Sequence, residues 1–193
     1  MHIIQYPHPT LRHKSKPLRR VDAELQKIVR EMFDLMYEAK GIGLAANQVD
    51  LPWRLFVVHA KSDEGDADRE LVFINPVLSR GKGSDEDEEG CLSLPKMYGD
   101  VRRSAQIVIE AFSLSGEKIH LELDGMLGRI VQHEYDHLDG VLFIDRLGPT
   151  AELAVREDLD DLERRFRTQR ELGEIGSDKQ IAARLAELEA EYC

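Results

Sequence analysis

The 193-residue chain is short of cysteine, short of positive charge and without any long apolar run. Its two cysteines, Cys91 and Cys193, stand one mid-chain and one at the last position, which makes no disulfide framework and fits a reducing compartment. No stretch approaches the roughly 18 consecutive apolar residues of a membrane span, so no membrane partner is expected. The first residues, Met1-His2-Ile3-Ile4-Gln5-Tyr6-Pro7, lack a basic segment leading into an apolar stretch and a cleavage site, so secretion is not expected and the expected location is cytoplasmic. Lys and Arg total 26 against 37 Asp and Glu, a formal net charge of −11. Such a surface repels a phosphate backbone, so no specific nucleic-acid partner is predicted. No internal repeat or long low-complexity tract appears. With 42% hydrophobic and 33% charged residues, the chain has the material for one folded domain.

Asp22 is placed to cap a helix in which Leu25, Ile28, Val29, Met32, Leu35 and Met36 recur at helical spacing, ending before Gly41. The small-residue segment Gly41-Ile42-Gly43-Leu44-Ala45-Ala46-Asn47-Gln48 lets backbone approach something closely. Leu55-Phe56-Val57-Val58 and Leu71-Val72-Phe73-Ile74 read as strands, separated by a charged loop over residues 61–70. A second loop is expected from Gly81 to Ser84, continuing as the solvated acidic run Asp85-Glu86-Asp87-Glu88. Val101 to Arg103, Gln106 to Phe112 and Lys118 to Leu123 read as strands, the last two joined around Ser115-Gly116 as a hairpin. Asp124 is then placed to cap a helix from about Gly125 to Leu138, largely apolar and therefore expected under the strands. From Ala151 the chain turns into charge-rich helix with Val155, Leu159, Leu162 and Phe166 at helical spacing, then a second amphipath carrying Ile181, Leu185, Leu188 and Tyr192. The expectation is an appendage whose helix packs on the domain or on a second subunit, with no oligomeric state assigned.

The strongest local signal is His133-Glu134-Tyr135-Asp136-His137 on the second helix. Residues i and i+4 lie one turn apart on one face, so two imidazoles can hold one metal while the adjacent Glu reaches a water beside it. Ordinary residue frequencies produce this pattern by chance in fewer than about one chain of this size in a hundred. A catalytic metal site needs a third protein ligand. Asp139, Asp145 and Glu152 follow the motif, and Cys91 in Glu89-Gly90-Cys91-Leu92-Ser93 offers a thiolate suited to a borderline divalent ion. The remaining histidines, His2, His8, His13, His59 and His120, lack ligand spacing and read as structural or surface residues.

Three segments in order resemble the peptide deformylase family: Gly41-Ile42-Gly43-Leu44-Ala45-Ala46-Asn47-Gln48, Glu89-Gly90-Cys91-Leu92-Ser93, and Gln132-His133-Glu134-Tyr135-Asp136-His137. The resemblance spans about residues 2–148, so residues 1–148 are expected to form the catalytic domain and residues 149–193 a charge-rich helical extension. It implies an α+β fold with antiparallel sheets packed around a central metal-binding helix, an N-terminal helix and a C-terminal helical extension. It further implies that Cys91, His133 and His137 bind the metal, that Glu134 is the general acid and base, and that Gln48 and the backbone N–H of Leu92 stabilise an oxyanion. The implied reaction removes the formyl group from N-formyl-methionyl nascent polypeptides, which also implies proximity to the ribosome. The implied cofactor is one divalent ion, Fe(II) in the cell with Zn(II) or Ni(II) as substitutes. Ile42, Gly43, Leu44 and Gly90 would then meet the extended substrate, and Met126 and Ile130 would share with Ile42 an apolar pocket for the methionine side chain. Asn47 departs from the Pro or Thr of many members without disturbing Gln48. Arg102 or Arg103 is a candidate partner for Glu88 or Glu89, and Arg129 is read as facing solvent or the peptide. Two rivals remain at this level: a zinc endopeptidase, which shares H-E-x-x-H, and a non-catalytic interaction module built on the tail.

Overall fold

A computed structural model describes residues 1–60 and 69–193. In chain order its elements are α1 (Ala23–Glu38), β1 (Gly43–Ala45), β2 (Leu55–Ala60), β3 (Arg69–Lys82), β4 (Asp85–Cys91), β5 (Leu94–Arg103), β6 (Gln106–Phe112), β7 (Lys118–Asp124), α2 (Gly125–Leu138), α3 (Pro149–Glu171) and α4 (Asp178–Tyr192). The five strands β1-β2-β3-β6-β7 form one antiparallel sheet in that order, and β4 and β5 form a separate hairpin. This is the α+β architecture expected from the sequence.

The reason β2 reads as an unbroken apolar run is that both of its faces are covered. Side chains alternate along a strand. Leu55 and Val57 therefore join a cluster with Leu25, Val29, Met32 and Met36 of α1, while Phe56 and Val58 join Ile130, Val131 and Leu138 of α2 on the opposite face. The sheet is thus held between the two helices, and α2 lies against it with its C-terminal half buried and its first residues exposed. The middle of α2 is tied to the β5–β6 junction by Gln132, which accepts from Ser104 N at 3.1 Å and donates to Ser104 O at 3.0 Å.

A third cluster gathers Leu94, Met97 and Val101 of β5 with Ile4, Leu11, Leu142 and Phe143, and it is closed by Val155 and Leu162 of α3. From α4, Tyr192 is buried in the α1 cluster and its ring lies 4.5 Å from that of Trp53. Both tail helices therefore contribute buried side chains to the packing of the preceding 148 residues. Among the described residues, no helix is long and apolar enough to cross a membrane.

Four details differ from the sequence reading. The acidic run is a strand rather than a loop: Asp85 to Glu88 are exposed, but their backbones pair with β5, placing Asp85 opposite Arg103 and Glu86 opposite Arg102. Opposite charges across a ladder favour this pairing. The loop at Gly81 to Ser84 is shorter than expected because β3 continues through an irregular register at Asn75-Pro76 to Lys82. Of the loop read at residues 61–70, residues 61–68 lie outside the described residues, and Arg69 and Glu70 already belong to β3. Asp124 precedes α2 without making a side-chain cap bond.

Asp22 does cap α1, its Oδ1 accepting from Leu25 N at 2.9 Å. Removing such a cap costs about 1 kcal/mol. Asp22→Ala should lower the melting midpoint by about 2–4 °C in calorimetry with no change in circular dichroism at 20 °C, the shift such a loss produces in a chain of this size.

Candidate active site

The two histidines of α2 stand one turn apart with ring centroids 5.0 Å from each other. The tight turn joining β4 to β5 delivers Cys91 to them, with Sγ 3.3 Å from His137 Nε2. One ligand atom from each of Cys91, His133 and His137 lies within 4.8 Å of the others, the only such group of three among the described residues. The downstream acids are committed elsewhere. Asp139 accepts from Arg54 Nη1 at 2.8 Å, Asp145 accepts from Arg12 Nη2 at 2.9 Å, and Glu152 is exposed in the first turn of α3. A thiolate with two imidazoles is a donor set that suits a borderline divalent ion.

Electrostatics favours a cation at this point. Burial pushes the His133 imidazolium down, but hydrogen bonds to Cys91 and to Glu89 outweigh it and raise the group to about 10. The field that would hold a proton there also attracts a metal ion. His137 is driven well below its ordinary value by burial and by the nearby His133 and Arg103 charges, so it is the neutral imidazole a ligand must be.

Glu89 accounts for the orientation of His133. Its Oε2 accepts from His133 Nδ1 at 2.9 Å, which leaves Nε2 for the Cys91 side. The same carboxylate accepts from Arg103 Nε and Nη2, both at 2.8 Å, and from Arg129 Nη1 at 2.9 Å. Burial alone would raise the Glu89 carboxyl; the bonds from Arg103 and His133 instead hold it well below the usual carboxylate range. Arg103 continues to Asp136, which Arg146 closes with two contacts at 2.5 Å.

Glu134, beside the first histidine, is buried, and its Oε2 has no hydrogen-bond partner within the protein. Burial raises it to about 7, with the His133 and Arg103 charges opposing. A carboxyl near neutrality can both take and give a proton. It rests against β1 so closely that a Cβ on Gly43 would fall 2.4 Å from Glu134 Oε1, which is why that position is glycine. Gln48 lies in a 3-10 turn (Ala46–Val49) after β1. Its Oε1 accepts from Ala45 N at 2.8 Å, and this fixes Nε2 toward Cys91 Sγ at 3.4 Å and Ser93 Oγ at 3.3 Å.

These residues open on a cleft of about 730 Å³ lined by Gly41, Ile42, Gly43, Gln48, Gly90, Cys91, Leu92, Tyr98, Met126, Ile130, His133 and Glu134, among others. Ile42, Tyr98 and Met126 expose large apolar surfaces along it, and Ile130 is nearly buried at its wall. Leu44 is not in the lining, because its side chain turns into the α1 cluster. Gly90 is held against Tyr98, where a Cβ would meet ring carbons at 2.7 Å.

Several contributors were not recognised in the sequence. Arg129 is buried on Glu89, Asp85 and the Val101 carbonyl rather than facing solvent. The carboxylate partner of His133 is Glu89. Asn47 donates to the His137 carbonyl and so ties the Gln48 turn to the end of α2. The acid-rich stretch before Cys91 carried a trace of this role, since a glutamate beside a ligand is a frequent orienting group.

A family model described as polypeptide deformylase matches residues 1–152. The chain is 46% identical over 192 residues to a peptide deformylase of Rhodopirellula baltica, covering 98% of this chain and 94% of that protein. It is 44% identical over 147 residues to a peptide deformylase of Neisseria meningitidis, covering 76% and 86%. Among solved structures, it superposes on a peptide deformylase from Plasmodium falciparum with TM-score 0.81 and 39% identity, covering 86% and 97%. For Arabidopsis thaliana peptide deformylase 1B in complex with an inhibitor the TM-score is 0.82 at 39% identity, covering 88% and 93%.

Replacing Glu89 by Gln leaves two buried guanidiniums without their shared anion, a loss of about 3–5 kcal/mol by the cost of breaking a buried pair. Urea denaturation of Glu89→Gln should show that loss, whereas Glu86→Gln, at an exposed pair, should stay within about 0.5 kcal/mol of the parent.

Proposed function

The chain belongs to the polypeptide deformylase family, and from that premise we propose how its own residues perform the reaction. The protein is a metallohydrolase that removes the formyl group from the N-terminal formyl-methionine of newly made polypeptides and releases formate. The observation that most supports our assignment is the convergence of Cys91, His133 and His137 in one cleft with Glu134 and the Gln48 amide.

We assign Cys91, His133 and His137 to hold one divalent ion. When bound, that ion supplies Lewis acidity that brings the ionisation of water toward neutral pH. Glu134 takes the proton of the attacking water and returns it to the amine nitrogen as the C–N bond breaks. Gln48 Nε2 and the Leu92 N–H donate to the formyl oxygen as it gains negative charge. The fixed orientation of the Gln48 amide and the position of Leu92 in the cleft support these roles. Fe(II) is our reading for the ion in the cell, with Zn(II) and Ni(II) as substitutes, from the resemblance to the family; the mixed sulfur and nitrogen donor set accommodates all three.

The substrate enters as an extended chain. β1 is an edge strand of the five-stranded sheet, and Ile42 and Gly43 face the cleft, so backbone pairing along Ile42 to Leu44, with Gly90 across the cleft, supports strand addition. Met126, Ile130 and Ile42 supply an apolar surface for the methionine side chain. We place the enzyme in the cytoplasm near the ribosome, where nascent formylated chains arise, with residues 1–148 as the catalytic domain and residues 149–193 as a helical extension packed upon it. The endopeptidase alternative yields to the family assignment.

Anaerobically prepared protein should release one formate per free amine formed from formyl-Met-Ala-Ser. Cys91→Ser should lose the bound ion, and Glu134→Ala should retain it while kcat falls by about 10²–10⁴. Internal peptide fragments in place of formate, or full turnover by Glu134→Ala, would contradict the assignment.

A further inference from the structure

The C-terminal helix α4 reaches the turn that carries Gln48. That turn ends at Asp50, a non-glycine residue in the left-handed region with φ 66°. Such a conformation persists where the surroundings hold it. Arg184 of α4 pairs with the Asp50 carboxylate and also donates from Nη2 to the Asp50 carbonyl at 2.8 Å. Thr10 Oγ1 donates to the other carboxylate oxygen at 2.5 Å. At the far end of the same loop the Trp53 ring packs at a tilt against Tyr192, with centroids 4.5 Å apart, and α4 is itself anchored to the N-terminal segment by Glu189, which accepts from His13 Nε2 at 2.7 Å and pairs with Lys16 at 3.4 Å. The loop between β1 and β2 is therefore gripped at two points by the tail.

We propose that α4 is a positioning element for the oxyanion donor, acting through Arg184 on Asp50 to keep the Gln48 amide in place. The inference rests on the assignment of Gln48 as an oxyanion donor. An amide that stabilises a developing charge must be preorganised, and displacement by a fraction of an ångström is felt in the rate. Arg184 is partly exposed and touches no cleft residue, so its removal leaves the core and the proposed ligands intact. Lysine retains the charge but cannot present the same pair of donors to the carboxylate and the carbonyl.

The test is steady-state deformylation of formyl-Met-Ala-Ser by the full chain, with bound metal quantified for each variant. Arg184→Ala should lower kcat about five- to tenfold with KM and metal content within about twofold, and Arg184→Lys should recover part of the loss. In a Gln48→Ala background the same Arg184→Ala change should leave kcat within about twofold, because the group it positions is gone. An unaltered kcat in Arg184→Ala, or an equal loss in both backgrounds, overturns the inference while the functional reading stands. A parent protein that releases no formate overturns both.

Discussion

One buried carboxylate, Glu89, joins the parts from which the site is made. It comes from β4, is bridged by Arg103 of β5, and is met by Arg129 and His133 of α2. The hairpin and the helix are also joined by Arg103 to Asp136 and by Arg129 to Asp85 and the Val101 carbonyl, and Glu89 is the anion at which both arginines and His133 meet. Cys91 lies two residues along the same strand, and its distance from His137 follows from where Glu89 is anchored. Two guanidiniums and an imidazole could not be buried side by side without it, and a single carboxylate could not be buried without them. The arrangement converts charge that would be costly in a core into a rigid support for three ligand atoms.

The parts of the fold that were legible in the sequence are those governed by local pattern. The spacing from Leu25 to Met36, the apolar run of β6, the alternation in β7, and H-E-x-x-H at one helical turn each state their geometry within a dozen residues. What escaped is long-range. Arg103 pairs with Glu89 as the sequence suggested, but nothing near Asp85 to Glu88 announces that the two segments form a β ladder, so an acidic strand read as a loop. Arg129 is separated from Glu89 by forty positions, and its burial is visible only once β4 and α2 are packed together. Asp136 stands next to His137 in the chain, yet its partners, Arg103 and Arg146, come from other elements.

The same distinction applies to the two ends of the chain. The tail showed amphipathic spacing but not its destination. Its helices join different clusters, α3 closing the β5 cluster and α4 lying over the N-terminal segment and Trp53. A second cavity of about 530 Å³ remains between the N-terminal residues and the α3–α4 connection. The groups we assign to catalysis open elsewhere, on the larger cleft, where an edge strand, an apolar rim and a buried acid meet. Size and shape alone would not have separated the two; the chemistry of the lining does.

The central claim is that Glu89 and its arginines hold Cys91, His133 and His137 as one ligand set. Anomalous diffraction from crystals of anaerobically purified protein, recorded across the iron and zinc absorption edges, tests this most directly. The account predicts one peak per chain, bonded by Cys91 Sγ and by the Nε2 atoms of His133 and His137, with Nδ1 of His133 still on Glu89. A peak bound by other side chains, or one that excludes Cys91, would contradict it.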